Sequence, residues 1–113
     1  MHKVSVTLKF VSGAELLIKD EFRAQSSKKS GDLEFKHEVP AGTENAPLRM
    51  KELIENVRDN LVKGDKDQFY KDGKLRPGIL VIINGSDWEV EDGPEYKVQA
   101  DDVIEFISTL HGG

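Results

Sequence analysis

The sequence contains no cysteine. Disulfide bonds, thiolate nucleophiles and cysteine-ligated metal ions are therefore excluded for this chain. It also lacks any run near the roughly 18 to 20 consecutive apolar residues that a membrane helix needs. Its first residues alternate between apolar and polar side chains and lack the continuous apolar stretch of a signal peptide. We therefore expect an intracellular protein that does not enter a membrane.

Positively charged side chains are too few to balance the negative ones: the chain has 16 Lys and Arg residues and 21 Asp and Glu residues, which gives a formal net charge of −5. A phosphate backbone repels such a surface on average, so direct binding to nucleic acid is not expected. The 113 residues, 37% of them hydrophobic, suffice for one hydrophobic core and not for two. Repeats and shifts of composition are missing as well, which predicts a single domain over residues 1–113.

The side chains of an ordinary enzyme site are hard to find. The serines lack the G-x-S-x-G context, and no phosphate-binding loop or dinucleotide fingerprint is present. The three histidines show no metal-ligand spacing: His2, His37 and His111. We therefore expect no enzyme, no bound cofactor and no metal.

Two pairs of carboxylates suggest sites that their surroundings do not support. Asp65 and Asp67 resemble the start of a calcium loop, but Phe69 stands where a third oxygen ligand is required. Asp101 and Asp102 adjoin the start of a predicted strand. They are interpreted as solvated turn residues and not as an acid/base pair.

Alternation of apolar residues predicts two strands in the first part of the chain. Val4, Val6, Leu8 and Phe10 share one face of residues 3–11. A second alternation over residues 33–40 ends at a proline and predicts an antiparallel partner. The polar stretch 19–32 between them is expected to be a flexible surface loop.

A helix is predicted after the second strand. Thr43 or Asn45 is the expected N-cap, Pro47 fits the first turn, and Gly64 is a natural stop. Apolar residues recur at helical spacing and indicate a core-facing stripe: Met50, Leu53, Ile54, Val57 and Leu61.

The second half predicts further strands. Residues 65–78 are a connection with turn chemistry, and the apolar run 79–84 predicts a strand buried on both faces. Asn84-Gly85 indicates a hairpin turn leading to a minor strand at 88–90. Residues 103–109 are the last strand.

The order of these elements predicts the fold. One helix must cover a mixed sheet of four to five strands, with the first and last strands parallel in the middle. This order indicates an α+β fold, the β-grasp (ubiquitin-like) architecture.

The chain closes with Leu110, His111, Gly112 and Gly113, a segment predicted to be an exposed arm that reaches about 13 to 14 Å. Glycine has no Cβ and can pass through a narrow channel. A terminal carboxylate is ionised at neutral pH and is a poor acyl electrophile. It reacts only after gaining a leaving group, such as the AMP that ATP provides, and a partner enzyme must supply that step.

Two stretches, "RPGILVIINGSDWEV" and "VIEFISTLHGG", resemble the ubiquitin-related modifier-1 family, eukaryotic sulfur carriers of the ubiquitin superfamily. The start "VSVTLKFVSGAELL" and the helix end "VRDNLV" are also similar, so the resemblance covers nearly the whole chain. The ending "FISTLHGG" is its most specific part. Residues 19–32 are longer than is usual for the family.

The resemblance implies a carrier mechanism. An activating enzyme would use ATP to adenylate Gly113 and then convert it to a thiocarboxylate with sulfur from its rhodanese-like domain. Thiolation enzymes would use that sulfur for 2-thiouridine at the wobble position of cytosolic tRNAs. The same terminus would also become linked to lysines of target proteins. By this resemblance Gly113 would be the acyl carrier, Gly112 would give access to a narrow channel, and Leu110 and His111 would contribute to recognition by the enzyme.

The resemblance further implies a cytoplasmic monomer, with the nucleus as a second compartment. It leaves the balance between sulfur transfer and conjugation open. An alternative from another class is a ubiquitin-like interaction module with an inert tail. A direct contact of His111 with the activated carbonyl is a further alternative to a docking role.

Overall fold

The computed structural model of the chain describes residues 2–28 and 31–109. Within them the strands are β1 (Lys3–Val11), β2 (Leu33–Pro40), β3 (Tyr70–Lys71), β4 (Lys74–Leu75), β5 (Ile79–Ile83), β6 (Ser86–Asp87) and β7 (Val103–Ser108). One α-helix, α1 (Met50–Asn60), is accompanied by short 3-10 helices at Ala14–Leu17, Asp20–Gln25, Lys66–Gln68, Trp88–Glu91 and Gly93–Glu95.

The main sheet has five strands in the order β2-β1-β7-β5-β6. Strand β1 runs antiparallel to β2 and parallel to β7, and β5 runs antiparallel to β7. The first and last strands therefore lie side by side in the centre, and α1 belongs to the connection between them. This is the predicted β-grasp architecture, and it is confirmed.

The core lies between one face of this sheet and α1. The helical stripe predicted from the sequence is buried, with Met50, Leu53, Ile54, Val57 and Leu61 all at most 1% exposed. From the sheet it meets residues of β1, β7 and β5 that are also nearly inaccessible: Val6, Leu8, Phe10, Val81, Ile83, Ile104 and Phe106. Burial of this apolar surface is the main stabilising contribution.

The start of α1 differs from the prediction. The N-cap residue is Arg49 and not Thr43 or Asn45, and its backbone N–H donates to Glu52 Oε1 at 2.9 Å. Pro47 therefore precedes the helix. Thr43 closes a separate turn, in which its hydroxyl accepts from Ala46 N at 3.0 Å. Both candidate N-caps have the right side chain, but the apolar stripe begins only at Met50.

Two connections contain regular structure that the sequence did not predict. In the segment 19–32, where a loop was expected, Asp20–Gln25 forms a 3-10 helix. Its Phe22 ring stacks on Phe35 of β2 at 5.4 Å, which brings the segment onto the core. The connection 65–78 contains the β3–β4 hairpin, in which Tyr70 is buried.

Strand β5 is buried on one face and not on both. Ile79, Val81 and Ile83 face the core, whereas Leu80 remains 48% exposed. The antiparallel pairing of β5 with β7 gives it the alternating burial of a half-covered sheet. The Asn84-Gly85 turn is as predicted and both residues have positive φ, but β6 is Ser86–Asp87 and residues 88–91 are a 3-10 helix.

Candidate functional site

The predicted reactive segment follows β7 directly. Leu110, His111, Gly112 and Gly113 lie outside the described residues, so the described site is the end of the sheet from which they continue. Thr109 is the last described residue. Its N–H donates to the carbonyl oxygen of Gly78 at 2.8 Å, and its hydroxyl donates to the same oxygen at 3.0 Å.

An apolar row crosses the solvent face of the sheet at this same end. Ile107 of β7 is directly opposite Val11 of β1 on one side and Leu80 of β5 on the other. These three side chains point away from α1, since their strand neighbours fill the core. Leu80 is 48% exposed, and the other two are partly exposed. Sequence reasoning missed the row because it interpreted β5 as buried on both faces.

The next row of the same face is different in character. There Glu105 of β7 is paired with Lys9 of β1 and with Ile82 of β5. Charges thus begin one step away from the apolar row. The row Val11–Ile107–Leu80 is apolar in all three strands, and it lies at the end of the sheet where β7 ends.

The most deeply buried carboxylate, Asp102, lies at the other end of β7. It is 5% exposed, so the interpretation of Asp102 as a solvated turn residue is wrong. It accepts from Asn84 Nδ2 at 3.0 Å, from the Tyr96 hydroxyl at 2.8 Å and from Gln99 N at 2.8 Å. Asp101 is exposed, as expected.

Burial and the hydrogen bond to Asp102 raise the pKa of the Tyr96 hydroxyl to about 12, so the phenol stays protonated and donates to Asp102. The seven residue steps from Asp102 to Thr109, at about 3.3 Å each, separate the two by roughly 23 Å along β7. This network therefore joins loops at the end of the sheet opposite to Thr109.

Three further candidate ligands from the sequence have structural partners. Asp65 Oδ1 accepts from Asp67 N at 2.9 Å, and Asp67 pairs with Arg58 at 2.9 Å. His37 Nε2 lies 2.8 Å from Asn56 Oδ1 on α1. Across residues 2–28 and 31–109, no group of three or more His, Cys, Asp or Glu side chains is placed to hold a metal ion. None of the helices in these ranges combines the length and the hydrophobicity that a membrane span requires.

Comparison with known proteins gives one consistent answer. The family model Urm1 (Ubiquitin related modifier) matches residues 5–113. "Ubiquitin-related modifier 1 homolog" of Dictyostelium discoideum is 41% identical over 112 residues, which covers 97% of this chain and 100% of that protein.

Solved structures agree with the sequence comparison. The solution structure of Urm1 from Trypanosoma brucei is similar with a TM-score of 0.66 and 36% identity, covering 100% of this chain and 99% of that one. The small archaeal modifier protein 1 from Methanosarcina acetivorans has a TM-score of 0.59 at 17% identity, with both chains covered completely. At that identity the second likeness concerns the fold alone.

Proposed function

Because the chain belongs to the Urm1 (Ubiquitin related modifier) family, we propose that it is a ubiquitin-like sulfur carrier that also serves as a protein modifier. An activating enzyme adenylates the carboxylate of Gly113 and then converts it to a thiocarboxylate. The sulfur goes to 2-thiouridine at the wobble position of cytosolic tRNAs. The observation that carries the proposal is the family match, which runs through Gly112 and Gly113.

The chemistry balances without any catalytic group on this chain. The Gly113 carboxylate attacks the α-phosphate of ATP, and pyrophosphate leaves. The terminal sulfur of an enzyme persulfide then displaces AMP and forms an acyl disulfide. A second thiol, of the enzyme or of a small-molecule reductant, attacks the cysteine sulfur of that acyl disulfide, so that a disulfide forms and the thiocarboxylate leaves. ATP and the sulfur donor thus act through the enzyme, and the carrier binds no cofactor of its own.

Conjugation follows from the same activated terminus. Attack by a lysine amine on the activated Gly113 carbonyl gives an isopeptide bond and releases the leaving group. Proteins of this family are ubiquitin-like modifiers, which supports that use. We place both activities in the cytoplasm, with the nucleus as a second compartment, and we assign tRNA contacts to the thiolation enzymes and not to this acidic carrier.

We assign docking of the activating enzyme to the apolar row Val11–Ile107–Leu80 together with the tail. The row exposes apolar surface at the end of the sheet where β7 ends, and burying it against an enzyme would stabilise the complex. Leu110, His111 and Gly112 continue the contact into the active site, and Gly113 carries the reacting carbonyl.

The proposal is tested by intact-mass measurement of the full chain after incubation with the activating enzyme, ATP and a sulfur donor. The starting mass first establishes that Gly113 is the carboxyl end. We expect a mass gain that equals the exchange of one oxygen for sulfur, and no gain when Gly113 is deleted. Lack of any gain in the wild-type chain would favour the alternative, an interaction module with an inert tail.

The docking surface has its own test. Leu80→Asp should raise the KM of the activating enzyme for the carrier by roughly 10-fold, since it places a charge in an apolar contact. Val90→Asp is the matched control, because it introduces the same charge at an apolar residue that is 77% exposed and does not belong to the row. Equal KM values for the two variants would remove the row from the interface.

A further inference from the structure

The bond from Thr109 to Gly78 lies just beyond the last residue pair of the central sheet. The pairing of β7 with β5 ends at Ser108, which is opposite Ile79, and its pairing with β1 ends at Ile107. Thr109 extends the ladder by one residue on the β5 side. Its N–H and its hydroxyl both donate to the carbonyl oxygen of Gly78, at 2.8 and 3.0 Å.

The acceptor of these two bonds is held in a tight turn. Ile79 N donates to Arg76 O at 3.2 Å, which closes the turn over residues 76–79. Gly78 has a φ of +93°, in the region that glycine adopts readily and other residues rarely do. The conformation of Gly78 therefore determines where its carbonyl oxygen points.

The turn over residues 76–79 is itself bonded to a core residue. Arg76 N donates to Phe69 O at 3.0 Å, and Phe69 is 1% exposed. The ring of Phe69 packs edge-on against Phe106 of β7, with the centroids 5.5 Å apart. A closed path thus runs from β7 through Phe69, the turn and Gly78 back to Thr109, three residues along the chain from Phe106.

We propose that Thr109 is a positioning residue whose double hydrogen bond to Gly78 fixes the point and direction from which the reactive tail leaves the sheet. This inference rests on the proposed function of Gly113. A tail of four residues reaches at most about 14 Å, so a change of about 20° at its origin moves its end by about 5 Å. Misplacement of a reacting atom by about 1 Å is already costly to an enzyme-catalysed step.

The Thr109 hydroxyl is the donor of this pair that a single substitution can remove while the backbone donor stays in place. Thr109→Val keeps the shape and β-branching and leaves the backbone bond possible, but it deletes the side-chain donor. Thr109→Ser keeps the donor and deletes only the methyl group. Thr43→Val is a matched control that loses a hydroxyl in the turn before α1, far from β7 in the sequence.

The first experiment measures thiocarboxylate formation by the full-length variants with the activating enzyme, ATP and a sulfur donor. Thr109→Val should lower kcat roughly 3- to 10-fold, the factor for one ordinary hydrogen bond, and change KM for the carrier by a smaller factor, because the apolar row is intact. Thr109→Ser and Thr43→Val should match the wild type. Equal kcat for Thr109→Val and wild type, or an equal loss in Thr109→Ser, would overturn the proposal.

A second measurement needs no enzyme and so separates this inference from the proposed function. Backbone amide order parameters of the free protein should fall at residue 109 in Thr109→Val and stay at the wild-type value in Thr109→Ser. An unchanged order parameter in Thr109→Val would show that the hydroxyl does not hold the chain at this point. If the wild-type chain gained no sulfur while this difference was found, the proposed function would fail and the positioning contact would stand.

Discussion

At the residue scale, the side chain of Asp102 holds two loops together through the hydrogen bonds that it accepts. Three donors converge on a carboxylate that is 5% exposed, and they come from the β5–β6 turn and from the connection before β7. Buried polar groups of this kind are stabilising only while their partners are complete. The residue therefore determines the geometry of two loops at once.

Replacing Asp102 by Asn should lower the free energy of unfolding by about 2 to 3 kcal/mol, because an amide NH2 would face the Asn84 amide donor. The measurement is urea denaturation at neutral pH. Asp101→Asn is the matched control, since Asp101 is exposed and has a φ of +67° that asparagine tolerates. A cost for Asp102→Asn no larger than that of the control would contradict this account.

Tyr96 adds a pH dependence to the same network. Burial, then the hydrogen bond to Asp102, raise the pKa of Tyr96 to about 12, against about 10 for an unfolded tyrosine. Above pH 10 the unfolded chain loses this proton and the folded chain keeps it. The contribution of Tyr96 to stability is therefore complete below about pH 10 and is lost as the pH rises through about 12.

The phenolate absorbance of Tyr70→Phe tests this directly, because Tyr96 is then the one tyrosine left of two. We expect a midpoint near pH 12, and a stability difference between wild type and Tyr96→Phe that shrinks over the same range. A midpoint near 10 would show that the phenol is not held by Asp102.

At the scale of elements, α1 begins later than the sequence predicted, because the helix starts where its apolar stripe can pack on the core. The expected caps, Thr43 and Asn45, precede the helix by several residues, and Glu52 instead accepts from the N–H of Arg49. Glu52 is in the third position of the helix, where a carboxylate can bond back to the capping residue and also faces the positive end of the helix dipole.

Glu52→Ala should therefore cost about 1 kcal/mol of unfolding free energy, whereas Asn45→Ala should cost less than about 0.5 kcal/mol. Chemical denaturation of the two variants gives the comparison. A larger cost at Asn45 would mean that the helix begins where the sequence pattern placed it.

Periodicity predicted those elements that bury one continuous apolar stripe. β1, β2, β7 and the body of α1 are of this kind, and so is the parallel pairing in the centre of the sheet. The exposed face of β5 was not predictable from its composition, because Leu80 is as apolar as its buried neighbours. Burial of alternate residues there depends on which element covers the sheet, and no local pattern encodes that.

At the scale of the whole molecule, a chain of ring contacts among five phenylalanines links the two long connections to the core. Stacked or edge-on contacts join Phe22 to Phe35, Phe35 to Phe10, Phe10 to Phe106 and Phe106 to Phe69. Phe22 and Phe69 lie in the stretches that the sequence described as a surface loop and a connection. Each had an aromatic residue among polar neighbours, a signal that could have indicated a contact with the core.

The reactive role of Gly112 and Gly113 stays a prediction from the sequence, and the end of the sheet that precedes them had to be read from the structure. The positions of Gly112 and Gly113 after the last strand follow from the sequence alone, whereas the Thr109–Gly78 contact and the apolar row require the register of three strands. Since the core lies within the described residues, deletion of Gly112 and Gly113 should change the free energy of unfolding by less than about 0.5 kcal/mol. Urea denaturation of the deletion variant checks this separation of fold from function.

The central claim is that sulfur is carried at the carboxyl group of Gly113. Fragmentation of the intact protein by mass spectrometry, after incubation with the activating enzyme, ATP and a sulfur donor, locates the added mass along the chain. The account predicts that the exchange of oxygen for sulfur is found in the fragment that contains Gly113 and in no fragment that ends before it. Sulfur on any other residue, or an unmodified Gly113 under conditions in which the enzyme consumes ATP, would contradict it.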